Sequence, residues 1–236
     1  MEDFTTTFGN SAAVAAPADR ASFIRKTYLL LAIAILGFVA IEAFLFLSGA
    51  AAGILTVVSA AGQMGWLLVL GGFMGVSYLA NRWAMSDASS TTQYLGLLLY
   101  VVAEAVIFVP MIAIAVYYTG DSTVLVKSGI VTLGLFLGLT LTVFITRTDF
   151  SFLGLILAIG GFVALGFIIS SAIFGFSLGS VFAFVMVAFA GSAILYQTSN
   201  ILHQYNTKQH VAASLALFAS VALLFWYILN IFSSRR

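Results

Sequence analysis

Two carboxylates stand where a carboxylate is costly. Glu42 and Glu104 each interrupt a long apolar run. At the centre of a bilayer an ionisable side chain costs about 2.5–3.5 kcal/mol on insertion scales, so such groups normally face a protein interior or a water-filled cavity. There they can hold a cation or relay a proton. Tyr100 lies one helical turn before Glu104 on the same face and can hydrogen-bond its carboxyl. Pro110 follows Glu104 by six residues. It has no amide hydrogen, so the carbonyl of Val106 loses its helical partner. A carboxylate beside a freed carbonyl suits a cation or proton site. The structural alternative is a protonated Glu104 hydrogen-bonded between helices. Glu42 lies nearer the end of its run and reads as an outer acidic site, or as a group that reaches the interface.

A third polar group closes the sixth apolar run: Gln197, Asn200, His203 and Gln204, flanked by Tyr196 and Tyr205. Spacings of three and four put Gln197, Asn200 and Gln204 on one helix face. That face can line a cytoplasmic vestibule, bond neighbouring helices, or simply be the wet end of a helix. Arg82 and Arg147 are expected beside it as cytoplasmic anchors. His203 and His210 have no carboxylate or third ligand nearby in sequence, so no metal site is expected. The chain has no cysteine, which excludes disulfides, thiol catalysis and Cys-ligated zinc. The last apolar run has no lysine for a retinal Schiff base. No Gly-rich phosphate loop ending in Gly-Lys-Ser/Thr is present either. Neither a cofactor nor enzymatic activity is expected.

The elements that must position these groups follow from composition. Of 236 residues, 62% are apolar and only 7% charged, against about a quarter charged in a soluble domain. The chain is therefore expected to be an all-α integral membrane protein with the lipid bilayer as its solvent. The net charge of +1 excludes a strongly basic nucleic-acid binder. Seven apolar runs appear: Thr27–Gly49, Met64–Leu79, Tyr94–Tyr118, Gly129–Thr146, Phe152–Phe174, Gly179–Leu202 and Val211–Phe232. At about 1.5 Å per residue most of them cross a hydrocarbon core of roughly 30 Å. The expected organisation is a mobile cytoplasmic tail over 1–26 and one seven-helix domain over 27–236. Ala50–Gln63 reads as an ambiguous, interfacial piece.

Arg20, Arg25 and Lys26 directly precede a run of full spanning length, which reads as a retained helix and not a cleavable signal. With the N-terminus inside, six basic residues (Arg20, Arg25, Lys26, Arg82, Arg147, Lys208) fall on the cytoplasmic side against three (Lys127, Arg235, Arg236) outside. That excess favours N-in and C-out. Gly71-xxx-Gly75, Gly134-xxx-Gly138 and the glycines at 160, 161 and 166 read as points of close helix approach. Thr148-Asp149-Phe150-Ser151 reads as a cap for the fifth span.

Three stretches carry a family likeness. Thr146-Arg147-Thr148-Asp149-Phe150-Ser151 resembles the polar link Thr-Lys-x-Asp-Phe/Leu-Ser between the fourth and fifth spans of the bacterial branch of the Bax inhibitor-1 (transmembrane Bax-inhibitor-motif) family. Tyr196-Gln197-Thr198-Ser199-Asn200-Ile201 resembles that family's Tyr-Asp-Thr motif. Ala213–Ser220, continuing to Phe225, resembles its Ala-Leu-x-Leu-Tyr-Leu-Asp-x-x-Asn-Leu-Phe run, and a basic tail follows Asn230-Ile231-Phe232. The resemblance implies a central helix ringed by six others in a bacterial inner membrane. It also implies either a passive, pH-sensitive calcium leak or a regulatory role through a membrane protease or other membrane complex.

In the family an aspartate pair in the sixth and seventh spans is thought to hold a pore closed and respond to protons. Here the two positions are Gln197 and Ser220, and the family's asparagine is Leu223. Two close carboxyls titrate as a coupled pair, whereas an amide and a hydroxyl do not titrate in the physiological range. Any remaining proton sensing is therefore expected to rest on Glu104, Glu42 or the two histidines.

Overall fold

The computed structural model describes residues 12–60, 62–86 and 89–234, with backbone alone at 63 and 64. Residues 1–11 of the expected tail, together with Arg235 and Arg236, lie outside the described residues. Eight helices and no β-strand occur among the described residues: α1 Pro17–Leu47, α2 Ala50–Ala60, α3 Gly62–Ala84, α4 Ser90–Thr119, α5 Thr123–Thr146, α6 Leu153–Phe174, α7 Gly179–His203 and α8 His210–Ser233. Six are long and apolar enough to cross a membrane, or seven if the bent pair α2–α3 is counted as one broken span.

Local chemistry sets the helix ends. Pro17 opens α1, where its missing amide would have had no helical acceptor. The helix thus begins inside the stretch expected to precede the first span. Ser89 caps α4 by accepting from the Thr92 amide at 3.1 Å. Gly120 ends α4 in the left-handed region at φ 61°, with its amide on Val116 O. The expected interfacial piece is the separate helix α2, and the pair α2–α3 turns through 117°.

Helix α8 is the pillar of the bundle. In its most apolar stretch 61% of residues are buried, and in α4 56%, against 6% in α6. An apolar helix that exposes most of its surface is a lipid-facing one. Around α8 the aromatic rings interlock. Phe108 stacks on Phe225 at 5.8 Å and meets Trp226 edge-on at 4.9 Å, while Phe38 packs edge-on against Phe108 at 5.2 Å.

Buried hydroxyls in the spans mostly bond back to a carbonyl one turn earlier, as Thr27, Thr132 and Ser220 do. Ser214 reaches further, donating to Thr27 O of α1 at 2.8 Å.

The close approach between helices is not where the paired glycines suggested. A Cβ at Gly71, Gly75, Gly134, Gly138 or Gly166 would meet nothing within 4 Å. Among the other expected positions, Gly160 touches the Phe189 ring. The tight crossing is at Gly96 of α4, where a Cβ would lie 2.6 Å from Ala80 O and 2.8 Å from Ala84 N of α3. On α3 the small residues are Ala80 and Ala84, both buried.

Candidate functional site

Glu104 sits in the middle of α4 and is only 6% exposed. Its Oε2 has no hydrogen-bond partner. Tyr100, one turn away, brings its hydroxyl against the Glu104 carboxyl and towards Ser77. Pro110 is buried within the same continuous helix. Glu104, Tyr100 and Pro110 therefore lie on one element, as their spacing predicted.

Glu104 lines a cavity of about 660 Å³ whose walls come from α3, α4, α6, α7 and α8. The apolar part of the lining includes Ile107, Phe108, Leu223 and Trp226. Further out the lining reaches Ser177 and Leu178 in the α6–α7 connection and Ser234 after α8. The cavity thus extends from Glu104 to the end of the bundle that carries that connection. In the other direction Tyr100 meets Phe73 edge-on at 5.8 Å and Phe218 edge-on at 6.1 Å. These three rings stand between Glu104 and the opposite end.

That opposite end gathers the start of α1 and the α5–α6 and α7–α8 connections. The Ala12 amide donates to Tyr205 O at 2.8 Å, and Arg20 reaches Leu202 O at 3.4 Å. Tyr94 and His210 pair at 3.4 Å. The expected vestibule residues are here, but they do not line the cavity of Glu104. Asn200 is buried with its Oδ1 unpartnered, and Gln204 is exposed just after α7. Arg82 and Arg147 are exposed, and Arg147 ends α5 in the left-handed region at φ 54°. The cavity lining of Glu104 includes neither Gln197 nor Asn200, so it does not itself reach the expected vestibule.

His203 is held by Ser199, its Nδ1 lying 2.9 Å from Ser199 O. The Ser199 hydroxyl also joins two elements. It accepts from the Phe150 amide at 2.9 Å and donates to Asp149 Oδ1 at 3.2 Å. Asp149 accepts from the Ser151 amide at 2.9 Å, but α6 itself has no side-chain cap, so the polar link ties α5–α6 to α7 and does not cap the fifth span as expected.

Asp149, Ser199 and His203 superficially suggest a nucleophile with its base, yet Ser199 is completely buried. Its role is a bolt between elements. Ser199→Ala strands the Phe150 amide and is expected to lower thermal stability in detergent by about 1–2 kcal/mol.

The same link should respond to acid. Chiefly the Ser151 amide, helped by Ser151 and Ser199 hydroxyls and by His203, holds the Asp149 carboxyl below its ordinary value. Its contribution is therefore complete above the usual carboxylate range and fades as pH falls through the lowered value. Comparing melting profiles of the wild type and Asp149→Asn should show a constant gap at neutral pH that closes below about pH 4.

Glu42 lies on the α1 face that also carries Leu31, Ala34 and Phe38. It is buried, and neither carboxyl oxygen has a partner. It does not line the cavity of Glu104. Glu42→Met removes an unsatisfied buried group at similar volume, so thermal stability should rise by about 1–3 kcal/mol. Unchanged or lower stability would mean that the carboxyl is satisfied by something it meets in the membrane.

The two positions of the expected aspartate pair are not joined. Ser220 donates to Ala216 O at 2.9 Å, while Gln197 Oε1 is buried without a partner. No cluster of three or more metal-ligating side chains occurs among the described residues. Sequence reasoning missed Ser199 and the cavity rings Trp66 and Trp226, which stack at 6.0 Å. Ser199 carried the clue of its place inside the Tyr196–Ile201 motif. The two tryptophans, far apart in sequence, offered none.

Comparison with known proteins gives a consistent neighbourhood. A family model described as inhibitor of apoptosis-promoting Bax1 matches residues 20–236. Bax inhibitor 1 of Schizosaccharomyces pombe is 30% identical over 237 residues, covering 95% of this chain and 81% of the yeast protein. An uncharacterised Pasteurella multocida protein is 31% identical, over 84% of this chain and 83% of its own. One from Pseudomonas aeruginosa is 30% identical, over 70% and 72%. No solved structure matches the chain.

Proposed function

This chain belongs to the Bax inhibitor-1 family, and we propose that within it the protein is a passive cation leak of the calcium type in a bacterial inner membrane. One observation carries the reading: a buried carboxylate with a free oxygen faces a cavity in the middle of the bundle. With the N-terminus inside, that cavity opens outward. A cation enters past Ser177 and Ser234, reaches Glu104, and is separated from the cytoplasm by the rings of Phe73, Tyr100 and Phe218. Those rings are the gate, and their movement sets the leak.

A lone carboxylate suits such a role. Calcium held tightly takes six to eight oxygens. Conduction instead needs a site strong enough to enter and weak enough to leave. With an amide and a hydroxyl at 197 and 220, acid does not act through a coupled pair there. Protons compete with cations at Glu104 itself.

Proteoliposomes loaded with a calcium-sensitive dye test the proposal. Flux above that of protein-free vesicles is expected at neutral pH, falling as the medium is acidified. Flux equal to that of empty vesicles at both neutral and acid pH overturns it. A second reading, a non-transporting regulator of a membrane protease or other membrane complex, draws on the neutral residues at the two aspartate positions. It predicts no flux and recovery of a stable partner by crosslinking in native membranes.

A further inference from the structure

The cavity that holds Glu104 has walls unlike those of a metal site. Six aromatic side chains line it: Trp66, Phe73, Phe108, Phe182, Trp226 and Tyr227. Trp66 and Trp226 face each other at 6.0 Å with 23° between their planes. Phe108 meets Trp226 at 86°, and Phe182 meets Tyr227 at 70°. Rings set at such different angles turn both faces and edges to the space between them. The serines and Asn230 of the lining sit towards the mouth, and Ser171 already donates to Phe176 O.

We infer that this cavity binds a monovalent organic cation with an apolar body, its charge on Glu104 and its body against the six rings. Charge, shape and hydration each point the same way. One carboxylate balances one positive charge, and no second acidic residue lines the cavity. Ring faces attract a cation through their quadrupole, most strongly when water is excluded. A hard divalent ion keeps its hydration shell beside a single carboxylate and carbon walls and so passes without being retained, whereas an ammonium or phosphonium carrying hydrocarbon has little shell to lose and can stay. A volume of about 660 Å³ falls within the usual range for small-molecule pockets. The carboxylate is itself more than nine-tenths buried, and its unpartnered oxygen completes the recognition.

The inference rests on the same reading of Glu104 as a group reached from the cavity, but it does not require transport. Tetraphenylphosphonium and tetraphenylborate share size and shape and differ in charge. Each would be titrated against the protein in neutral-lipid nanodiscs by equilibrium dialysis, with empty nanodiscs subtracted.

Saturable binding of the phosphonium, none of the borate, and binding about tenfold weaker or worse in Glu104→Gln is expected, with recovery in Glu104→Asp. Equal binding by wild type and Glu104→Gln, or equal binding of the two ions, overturns it. If the glutamine variant does not fold, the pair of ions on the wild type still decides. Phosphonium binding without calcium flux sinks the leak and leaves this site standing. Flux without phosphonium binding does the reverse.

Discussion

Glu104→Gln is expected to cut calcium flux through reconstituted vesicles by about tenfold or more, equivalent to at least ~1.4 kcal/mol lost at the site. The substitution is nearly isosteric and keeps a group that can hydrogen-bond Tyr100, so packing around Ile107, Phe108 and Trp226 is retained. What disappears is the charge at the inner end of the cavity. A cation leaving water for a chamber walled by rings then finds no compensating carboxylate, and the passage becomes a desolvation barrier. Glu42→Gln is the matching control. Glu42 is as buried as Glu104 but does not line the cavity, so its neutralisation should leave flux unchanged. Equal flux in wild type and Glu104→Gln, measured with the same dye-loaded vesicles and the same protein content, would remove Glu104 from the path.

The largest structural effect is expected at Gly96. Gly96→Ala should lower thermal stability in detergent by about 3 kcal/mol, the upper part of the usual range for overpacking. The new methyl group would sit 2.6 Å from Ala80 O, 2.8 Å from Ala84 N and 3.0 Å from the Trp83 Cβ. Two of those atoms are backbone in the last turn of α3 and have no rotamer to change. Only a displacement of α3 relative to α4 relieves the clash, and that displacement also opens the cavity wall formed by Leu70 and Phe73. Gly71→Ala and Gly134→Ala meet open space and are expected to be neutral or slightly stabilising, because alanine favours a helix over glycine by about 0.8–1.0 kcal/mol. Melting the three variants side by side would separate a packing effect from a backbone one.

Much of this architecture was legible in the residues because the bilayer is a demanding solvent. It forces backbone groups to satisfy themselves within a helix, so a long apolar run with few charges can be little else. The first span extends further towards the N-terminus than its apolar run because Pro17 is a good helix opener and charged residues tolerate the aqueous end. Glu104 was legible for the opposite reason, as a charge in a place that repels one. Its cavity was not, since the walls are drawn from five helices far apart in the chain. The direction in which that cavity opens depends on where Ser177 and Ser234 fall in space. Spacing around Gln197 and Asn200 predicted a shared face and carried no information about the rings above Glu104.

Gly96 shows the same boundary at smaller scale. A repeated glycine pair is conspicuous in a sequence, yet a pair pointing at lipid meets no partner. The working contact uses one glycine on α4 and the alanines 80 and 84 on α3, a pattern visible only once the two helices are known to cross.

The placement of α8 bears on how the protein is made. A ribosome delivers the helices in order, and the one that α1, α3, α4, α5 and α7 lean upon emerges after those helices are already threaded into the membrane. Until it arrives, Thr27 O waits for Ser214 and Phe108 waits for Phe225. Assembly is therefore a late, lateral event: the earlier segments insert as a loose ring, and the arrival of one further segment closes it. A chain halted before His210 would be inserted but unassembled, with its inward-facing polar groups open to membrane quality control.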